Sequence, residues 1–259
     1  MIEIHKTGGG TLTYHEARHR YEFDGEKVDL SVSSVAGGYP LNFGIASGWA
    51  SKIIREELIK SEIPPTFDSA EAKAEWAKEL CKAPARLTKS AGGTGTLVHK
   101  FVEDLGHGLE PEPHEDIAIA RCQQSLGDWF KANIAEVLHV ERRLYSPKWK
   151  IAGTCDMVAR LRKQTGASGA SGEGPIHILD WKGVTDLKAG LKAGHVGQLA
   201  AYRSMLEEAG EKVDGTTLVR FSRKTGEIDP VTFTHYEEDL AAFEAALHLA
   251  RYKPKATVF

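Results

Sequence analysis

Three apolar, alternating runs in close succession, Val137–Tyr145, Ile151–Arg162 and Ile176–Lys182, constrain the fold of this chain more than any other feature. Each has the length and the β-branched and aromatic content of a strand. After them, Ala193–Ala209 has helical periodicity and is ended by Gly210. Further strands are expected at Thr216–Ser222 and Glu227–Phe233, with a closing helix from Glu237 to Tyr252 before Pro254. Strands joined first by hairpins and then across a helix make a mixed α/β fold, a mixed central sheet flanked by helices. Thr165–Gly174, between the second and third runs, is a low-complexity Gly/Ser/Ala stretch read as a flexible tip.

The N-terminal third reads differently. A hairpin is expected from Thr11–Tyr14 and His19–Phe23, with Asp24-Gly25 supplying turn chemistry. Ser31–Val35 caps or precedes a short element, and Gly37-Gly38-Tyr39-Pro40 breaks the chain. Helices follow at Ile45–Lys60, closed by Pro64-Pro65, and at Ser69–Leu80 with Ser69 as N-cap. Ala91-Gly92-Gly93-Thr94-Gly95 opens a third helix running through Leu105, and a fourth spans Glu115–Asn133. The expected division is residues 1–90 as an N-terminal hairpin and mostly helical lobe, and residues 91–259 as the sheet-bearing core.

The 259-residue chain, 41% hydrophobic and 27% charged, has the composition of an ordinary globular protein. No apolar run reaches the roughly 18 residues that span a bilayer, so no membrane association is expected. The N-terminus has no apolar signal core, and Cys81, Cys122 and Cys155 are isolated, with no C-x-x-C. That disfavours a zinc site, an iron–sulfur cluster or a disulfide framework and suggests a reduced, cytoplasmic protein. Gly92-Gly93-Thr94-Gly95 lacks the Gly-Lys-Ser/Thr ending of a phosphate-cradling loop. The net charge of −3 hides three basic clusters: Arg142, Arg143, Lys148 and Lys150; Arg220, Arg223 and Lys224; and Arg251, Lys253 and Lys255. Each is a solvated face or part of a channel that tracks a phosphate backbone.

The chemistry concentrates in Ile178-Leu179-Asp180-Trp181-Lys182. Strand side chains alternate, so Asp180 and Lys182 project together and Trp181 points the other way. A second acid, Asp156, lies 24 residues earlier on the preceding strand, where hairpin pairing lets the two converge. Two carboxylates with a nearby ammonium suit metal-assisted phosphodiester hydrolysis, because acids hold a hard cation and lysine orients water. Gly153 permits close approach of a partner backbone, or is a strand-edge kink. Glu141, one strand earlier, joins the cleft or pairs with Arg143. Gln198 and Tyr202 share a helix face, as do His99 and Glu103. Trp49, Trp76 and Tyr39 are candidates for base stacking or for core packing.

Gly95-Thr96-Leu97-Val98-His99, Gly153-Thr154-Cys155-Asp156, Asp180-Trp181-Lys182 and Gln198-Leu199-Ala200-Ala201-Tyr202, in that order, resemble the PD-(D/E)XK nuclease superfamily, in particular its RecB-like, phage-type exonuclease branch. The resemblance covers about residues 91–209, and more loosely 19–49. It implies a restriction-endonuclease-like core and a metal-dependent DNA nuclease, an exonuclease first, with a structure-specific endonuclease or a non-cleaving DNA-end binder as the alternatives. It also implies Asp156, Asp180, the Trp181 carbonyl and His99 as metal ligands, Lys182 as catalytic lysine, and Gln198 and Tyr202 as the motif after the core. The cofactor implied is Mg²⁺ or Mn²⁺, and the partner is DNA, as single strands or duplex ends, in recombination, repair or replication. A cytoplasmic setting in a bacterial or phage-infected cell goes with it. The N-terminal lobe would guide DNA. No helicase motor is visible, so processivity would come from a homo-oligomeric ring, a clamp-like lobe, or a recombination or replication partner. The cysteine set of iron–sulfur members is absent, and the second acid has the Asp-x-Lys form.

Overall fold

The computed structural model describes residues 2–7, 9–38, 42–61, 66–163 and 174–253. Nine strands and seven helices alternate among these residues as a mixed α/β fold. β5 (Ile134–Ser146), β6 (Ile151–Leu161), β7 (Ile176–Val184), β8 (Gly215–Ser222) and β9 (Ile228–Phe233) form a five-stranded sheet in that order. All neighbours are antiparallel except β7 and β8, which run parallel. The parallel pair requires a crossover, and α6 (Ala193–Glu208) supplies it. The expected strands and helices of this half appear within a few residues of their anticipated ends.

Two apolar cores lie on the two faces of this sheet. On one, α1 (Val32–Gly37), α6 and α7 (Tyr236–Arg251) bury Val32, Leu199, Met205 and Phe243 against Leu144, Ile151, Ile178 and Leu218. On the other, the end of α4 (Ala83–Gly106) and α5 (Ile117–Asn133) bury Val98, Phe101 and Leu126 against Met157, Leu179, Trp181 and Phe221. A strand sandwiched in this way must be apolar on both sides, which is why Ile178-Leu179 precedes the acid without a polar partner. Complete burial of a residue such as Ile178 or Leu179 is worth about 1.5–3 kcal/mol.

β1 (Ile2–Thr7), β2 (Gly10–His15), β3 (Arg20–Phe23) and β4 (Glu26–Lys27) form a second, antiparallel sheet in sequence order. The expected hairpin is its centre, but Asp24 and Gly25, both at positive φ, turn the chain from β3 into β4. A 3₁₀ turn over Glu16–Arg18 joins β2 to β3 instead. Ser31 caps α1 through a reciprocal bond with Ser34, and Asp116 caps α5. In a separate compact unit, Pro40–Leu97, α2 (Asn42–Lys60) is followed by α3 (Ala70–Cys81), which Ser69 caps as expected.

The other unit joins Met1–Tyr39 to Val98–Phe259, so the N-terminal sheet clusters with the five-stranded sheet rather than with the helices of residues 40–97. α4 also begins at Ala83 and not at Ala91. Tyr39, Pro64, Pro65, Lys255, most of the Gly/Ser tip and the Trp49 side chain lie outside what is described.

Candidate active site

The pairing of β6 with β5 continues the length of both strands, whereas its pairing with β7 stops at Met157↔Leu179. Asp156 and Asp180 are the next residues on the two strands, so both carboxylates sit where the ladder opens. The Trp181 N–H, which has lost its strand partner there, donates to Asp156 Oδ2 at 3.3 Å. On the other side of Asp156, Glu141 falls between the Val140↔Met157 and Arg142↔Cys155 pairs and is therefore directly opposite it. Three acids thus occupy opposed positions on three adjacent strands.

Strand alternation breaks at this row. Along β6, Cys155 and Met157 are two residues apart yet belong to opposite cores. Along β5, Val140 packs with the α4–α5 core and Leu144 with the α6–α7 core. Between them Glu141 has φ +47°, a left-handed conformation that costs a non-glycine residue roughly 1–3 kcal/mol. Strain of that kind persists only where the surroundings enforce it.

Asp180, 2% exposed, and Lys182 do project together, as their spacing requires. Lys182 Nζ lies 2.9 Å from Asp180 Oδ1 and 2.8 Å from Oδ2. Only the first contact has hydrogen-bond geometry, so Oδ2 is a buried acceptor with an ionic neighbour but no bonded donor. Gln198 Nε2 donates to Oδ1 at 3.1 Å. Trp181 points into the opposite core, edge-on to Trp129 at 5.6 Å. His99, from α4, donates through Nε2 to the Trp181 carbonyl at 2.7 Å, while its Nδ1 lies 3.4 Å from Asp156 Oδ2. Two groups expected as ligands, His99 and the Trp181 carbonyl, therefore bond to each other. Tyr202 is packed in the core beside Gly153, and burial raises its phenol well above its ordinary pKa. A Cβ on Gly153 would lie 2.7 Å from the Tyr202 ring and 2.9 Å from Val32. Gly153 thus makes room for two side chains, not for a partner backbone.

The electrostatics follow from like charges sharing a partly dry site. Burial raises the Asp156 carboxyl, and the Asp180 charge raises it further, against His99, Lys182 and the Trp181 N–H. Glu141 is pushed up to about 7 by burial and then by the charges of Asp156 and Glu103, with Arg143 opposing. Burial alone would lower Lys182, but Asp180, Asp156 and Glu141 outweigh it and hold the ammonium above its ordinary value. The α6 helix also brings His195, three residues before Gln198, which sequence reasoning missed. Burial and the Lys182 ammonium depress its imidazole to about 4, against Asp180. Its i, i+3 relation to Gln198 is the signal that was available.

Among the described residues no three His, Cys, Asp or Glu side chains are grouped closely enough to cage a metal ion. Mg²⁺ needs no such cage. It keeps several waters and binds through one or two carboxylates, in near-octahedral oxygen geometry. Asp156 and Asp180, with its unbonded Oδ2, meet that lesser requirement.

Among the described members of the basic clusters, most are engaged by acids or backbone carbonyls of the chain itself. Arg220, 8% exposed, pairs with Asp229 and donates to the carbonyls of Ala189 and Leu187. Arg142 pairs with Glu211, Lys148 with Glu244, and Arg251 donates to the Trp149 carbonyl. Arg143 binds Glu3 rather than the Glu141 carboxylate. Trp76 packs against Phe67. A cavity of about 590 Å³ lies elsewhere, between α5 and residues 110–113.

No family model matches the chain, and no curated protein matches it in sequence. Among solved structures, it aligns with a protein from Eubacterium rectale named only as a candidate exonuclease, at 13% identity and a TM-score of 0.37. That alignment covers 60% of this chain and 63% of the other, so the chain spans less than two thirds of that protein's length. A second structure, of a protein called SSO0001, aligns at 13% identity and a TM-score of 0.31, over 81% of this chain and 88% of the other. Likenesses this distant carry no argument about activity, which rests on the residues themselves.

Proposed function

We propose that this protein is a metal-dependent phosphodiester hydrolase acting on DNA, an exonuclease of the PD-(D/E)XK, RecB-like kind, with Mg²⁺ or Mn²⁺ as its cofactor. The observation that carries this reading is the opening of the β6–β7 ladder. It puts Asp156, Asp180 and Lys182, together with the backbone of Trp181, in one place. Repulsion among buried carboxyls is a standing cost that a bound divalent cation would relieve.

Asp156 and Asp180 would hold the cation, with Glu141 as a further carboxylate. When bound, it supplies Lewis-acid stabilisation of phosphate oxygens and a lowered pKa for a coordinated water. The chain's own residues do the rest. Lys182 stays protonated at Nζ, where it can orient the attacking water and neutralise charge developing on the phosphate. Gln198 fixes the Asp180 rotamer through Oδ1, and the buried Oδ2 has only Lys182 Nζ beside it. His99 anchors the Trp181 carbonyl, and with it the strand segment on which Asp180 and Lys182 are carried.

The test is incubation of the purified protein with DNA labelled separately at its 5′ and 3′ ends, with Mg²⁺ and with chelator. Mg²⁺-dependent release of label from one end, lost in Asp180→Ala and Lys182→Ala, is the expected result. Cleavage of closed circular DNA would make it an endonuclease instead. A non-cleaving DNA-end binder is the second reading. It is favoured by the hydrogen bond between His99 and the Trp181 carbonyl, which closes two would-be ligands on each other. Retained DNA binding without cleavage under any divalent cation would select it.

A further inference from the structure

Arg143 is the most constrained cation near the acidic row. It is 8% exposed, and its guanidinium makes three contacts. Nη1 donates to the Glu141 carbonyl at 3.0 Å, Nη2 lies 2.5 Å from Glu3 Oε2 on β1, and Cζ stands 4.5 Å over the Tyr14 ring on β2. Its Nε is buried without a hydrogen-bond partner, so these contacts and not the saturation of its donors set its orientation. Glu141, left-handed in φ, has no ladder pair of its own between Val140↔Met157 and Arg142↔Cys155, although the register runs on unchanged, and the guanidinium gives its carbonyl a donor there. Because Arg143 takes the carbonyl and Glu3 takes Arg143, the Glu141 carboxylate is not paired with the arginine two residues away. Its charge couples to Asp156 and Glu103 ahead of Arg143, and to Lys182 across the row. The same N-terminal sheet also touches β6, through a 2.7 Å hydrogen bond between Tyr21 and Thr154, two residues before Asp156.

We propose that Arg143 is a positioning residue: braced by Glu3 and Tyr14, it fixes the left-handed backbone of Glu141 and so commits the Glu141 carboxylate to the Asp156 side of a divalent-cation site. The inference rests on the cation-dependent reading above and deepens it, because the N-terminal sheet becomes part of the cation site rather than an appended guide. An arginine is needed there: lysine keeps the charge but lacks the planar fork that reaches a carbonyl and a carboxylate at once.

The experiment is calorimetric titration of Mn²⁺ into the metal-free, full-length protein and its Arg143→Lys, Glu3→Gln and Arg142→Gln variants. Unfolding temperatures and the Mg²⁺ dependence of DNA cleavage are followed in parallel. Loss of a residue that orients a ligand typically weakens metal binding by about 10–100-fold. Arg143→Lys is expected to weaken Mn²⁺ binding at least tenfold and Glu3→Gln less, in the same direction. Arg142→Gln, which loses only its Glu211 contact, leaves the affinity unchanged. If Arg143→Lys does not fold, Glu3→Gln alone carries the test. Variants that lose stability but keep wild-type Mn²⁺ affinity would overturn the proposal, showing Arg143 to be merely structural. Wild-type protein that cleaves DNA while the variants bind Mn²⁺ normally sinks this inference alone. Wild-type protein that binds Mn²⁺ tightly, weakens as expected in the variants and cuts nothing sinks the hydrolase reading alone.

Discussion

At one end of the acidic row, Asp180 is almost fully buried yet has Lys182 Nζ within 3 Å of both oxygens and Gln198 on Oδ1. At the other end, Glu141 is less buried, but its strongest electrostatic neighbours are Asp156 and Glu103, and its carboxyl rises to about 7. Burial raises the Glu141 carboxyl first and its acidic neighbours raise it further, whereas Asp180 has a cation in direct contact. The fold neutralises Asp180 by direct contact, whereas for Asp156 and Glu141 burial and like charge outweigh the help of His99, Lys182 and Arg143 and favour the protonated carboxyl. That asymmetry, more than the presence of acids, is what makes the row a candidate for a divalent cation.

The hardest blow to this contrast is Lys182→Ala, which should make the Asp180 end resemble the other. Removing one partner of a buried ion pair costs about 3–5 kcal/mol. Lys182 is a quarter exposed, so the expected loss is nearer ~2 kcal/mol by denaturant titration in chelator, with the fold retained by circular dichroism. Adding Asp180→Asn to that variant should recover most of the loss. If Lys182→Ala alone is neutral, Asp180 is not balanced by the lysine and the contrast fails.

Next in size is a pH effect centred on Glu141, to which the raised Asp156 carboxyl adds in the same direction. The folded pKa of Glu141 is raised from 4.5 to about 7, so the folded state holds a proton that the unfolded chain has released in that window. The stability this contributes is present below pH 4.5 and is lost as pH rises through about 7. A tenfold difference in proton affinity between the folded and unfolded chain is worth about 1.4 kcal/mol, and partial exposure reduces the whole to about 2 kcal/mol. Unfolding free energies measured without cation should therefore fall across that window. Glu141→Gln should flatten the fall, and so should millimolar Mg²⁺. A slope unchanged by Glu141→Gln would place the titrating group elsewhere.

How far the sequence revealed these arrangements differs between the two ends for a physical reason. Asp180, Lys182 and Gln198 were legible because strand and helix periods fix which residues share a face within one element, and an apolar run delivers them. The Asp156–Asp180 convergence followed from hairpin adjacency. Glu141's conformation was not legible, since no local residue type announces a left-handed backbone, and Arg143 meets Glu3 only through packing of the two sheets. β1 was missed because Ile2 and Ile4 are exposed on an edge strand that gains order from pairing with β2, not from burial. The start of α4 was placed late because Gly92, Gly93 and Gly95 read as a break. Each costs a helix only about 1 kcal/mol, which the helix tolerates. The contacts of the basic clusters were not legible because sequence counts charges and not the carbonyls and acids that pair with them.

A smaller effect of opposite sign tests the middle of the row. Asp156→Asn keeps an acceptor for the Trp181 N–H and removes a charge between Asp180 and Glu141. Without cation it should stabilise the protein by about 1 kcal/mol, the scale of a directly opposed like-charge pair, while abolishing Mg²⁺-dependent cleavage. Destabilisation in chelator would mean that the attraction of His99 and Lys182 for Asp156 outweighs the repulsion.

The smallest perturbation bears on how Gln198 acts. It touches Asp180 Oδ1, which Lys182 also holds, so Gln198→Ala leaves the carboxylate with a donor and should cost only about 0.5–1.5 kcal/mol. If Gln198 works solely by holding Asp180, cleavage at saturating Mg²⁺ should fall by less than tenfold, and the Mg²⁺ requirement should shift with it. A loss of a hundredfold or more with an unchanged Mg²⁺ requirement would mean that Gln198 meets the substrate itself. The internal balance of the Asp180 end would then belong to Lys182 alone.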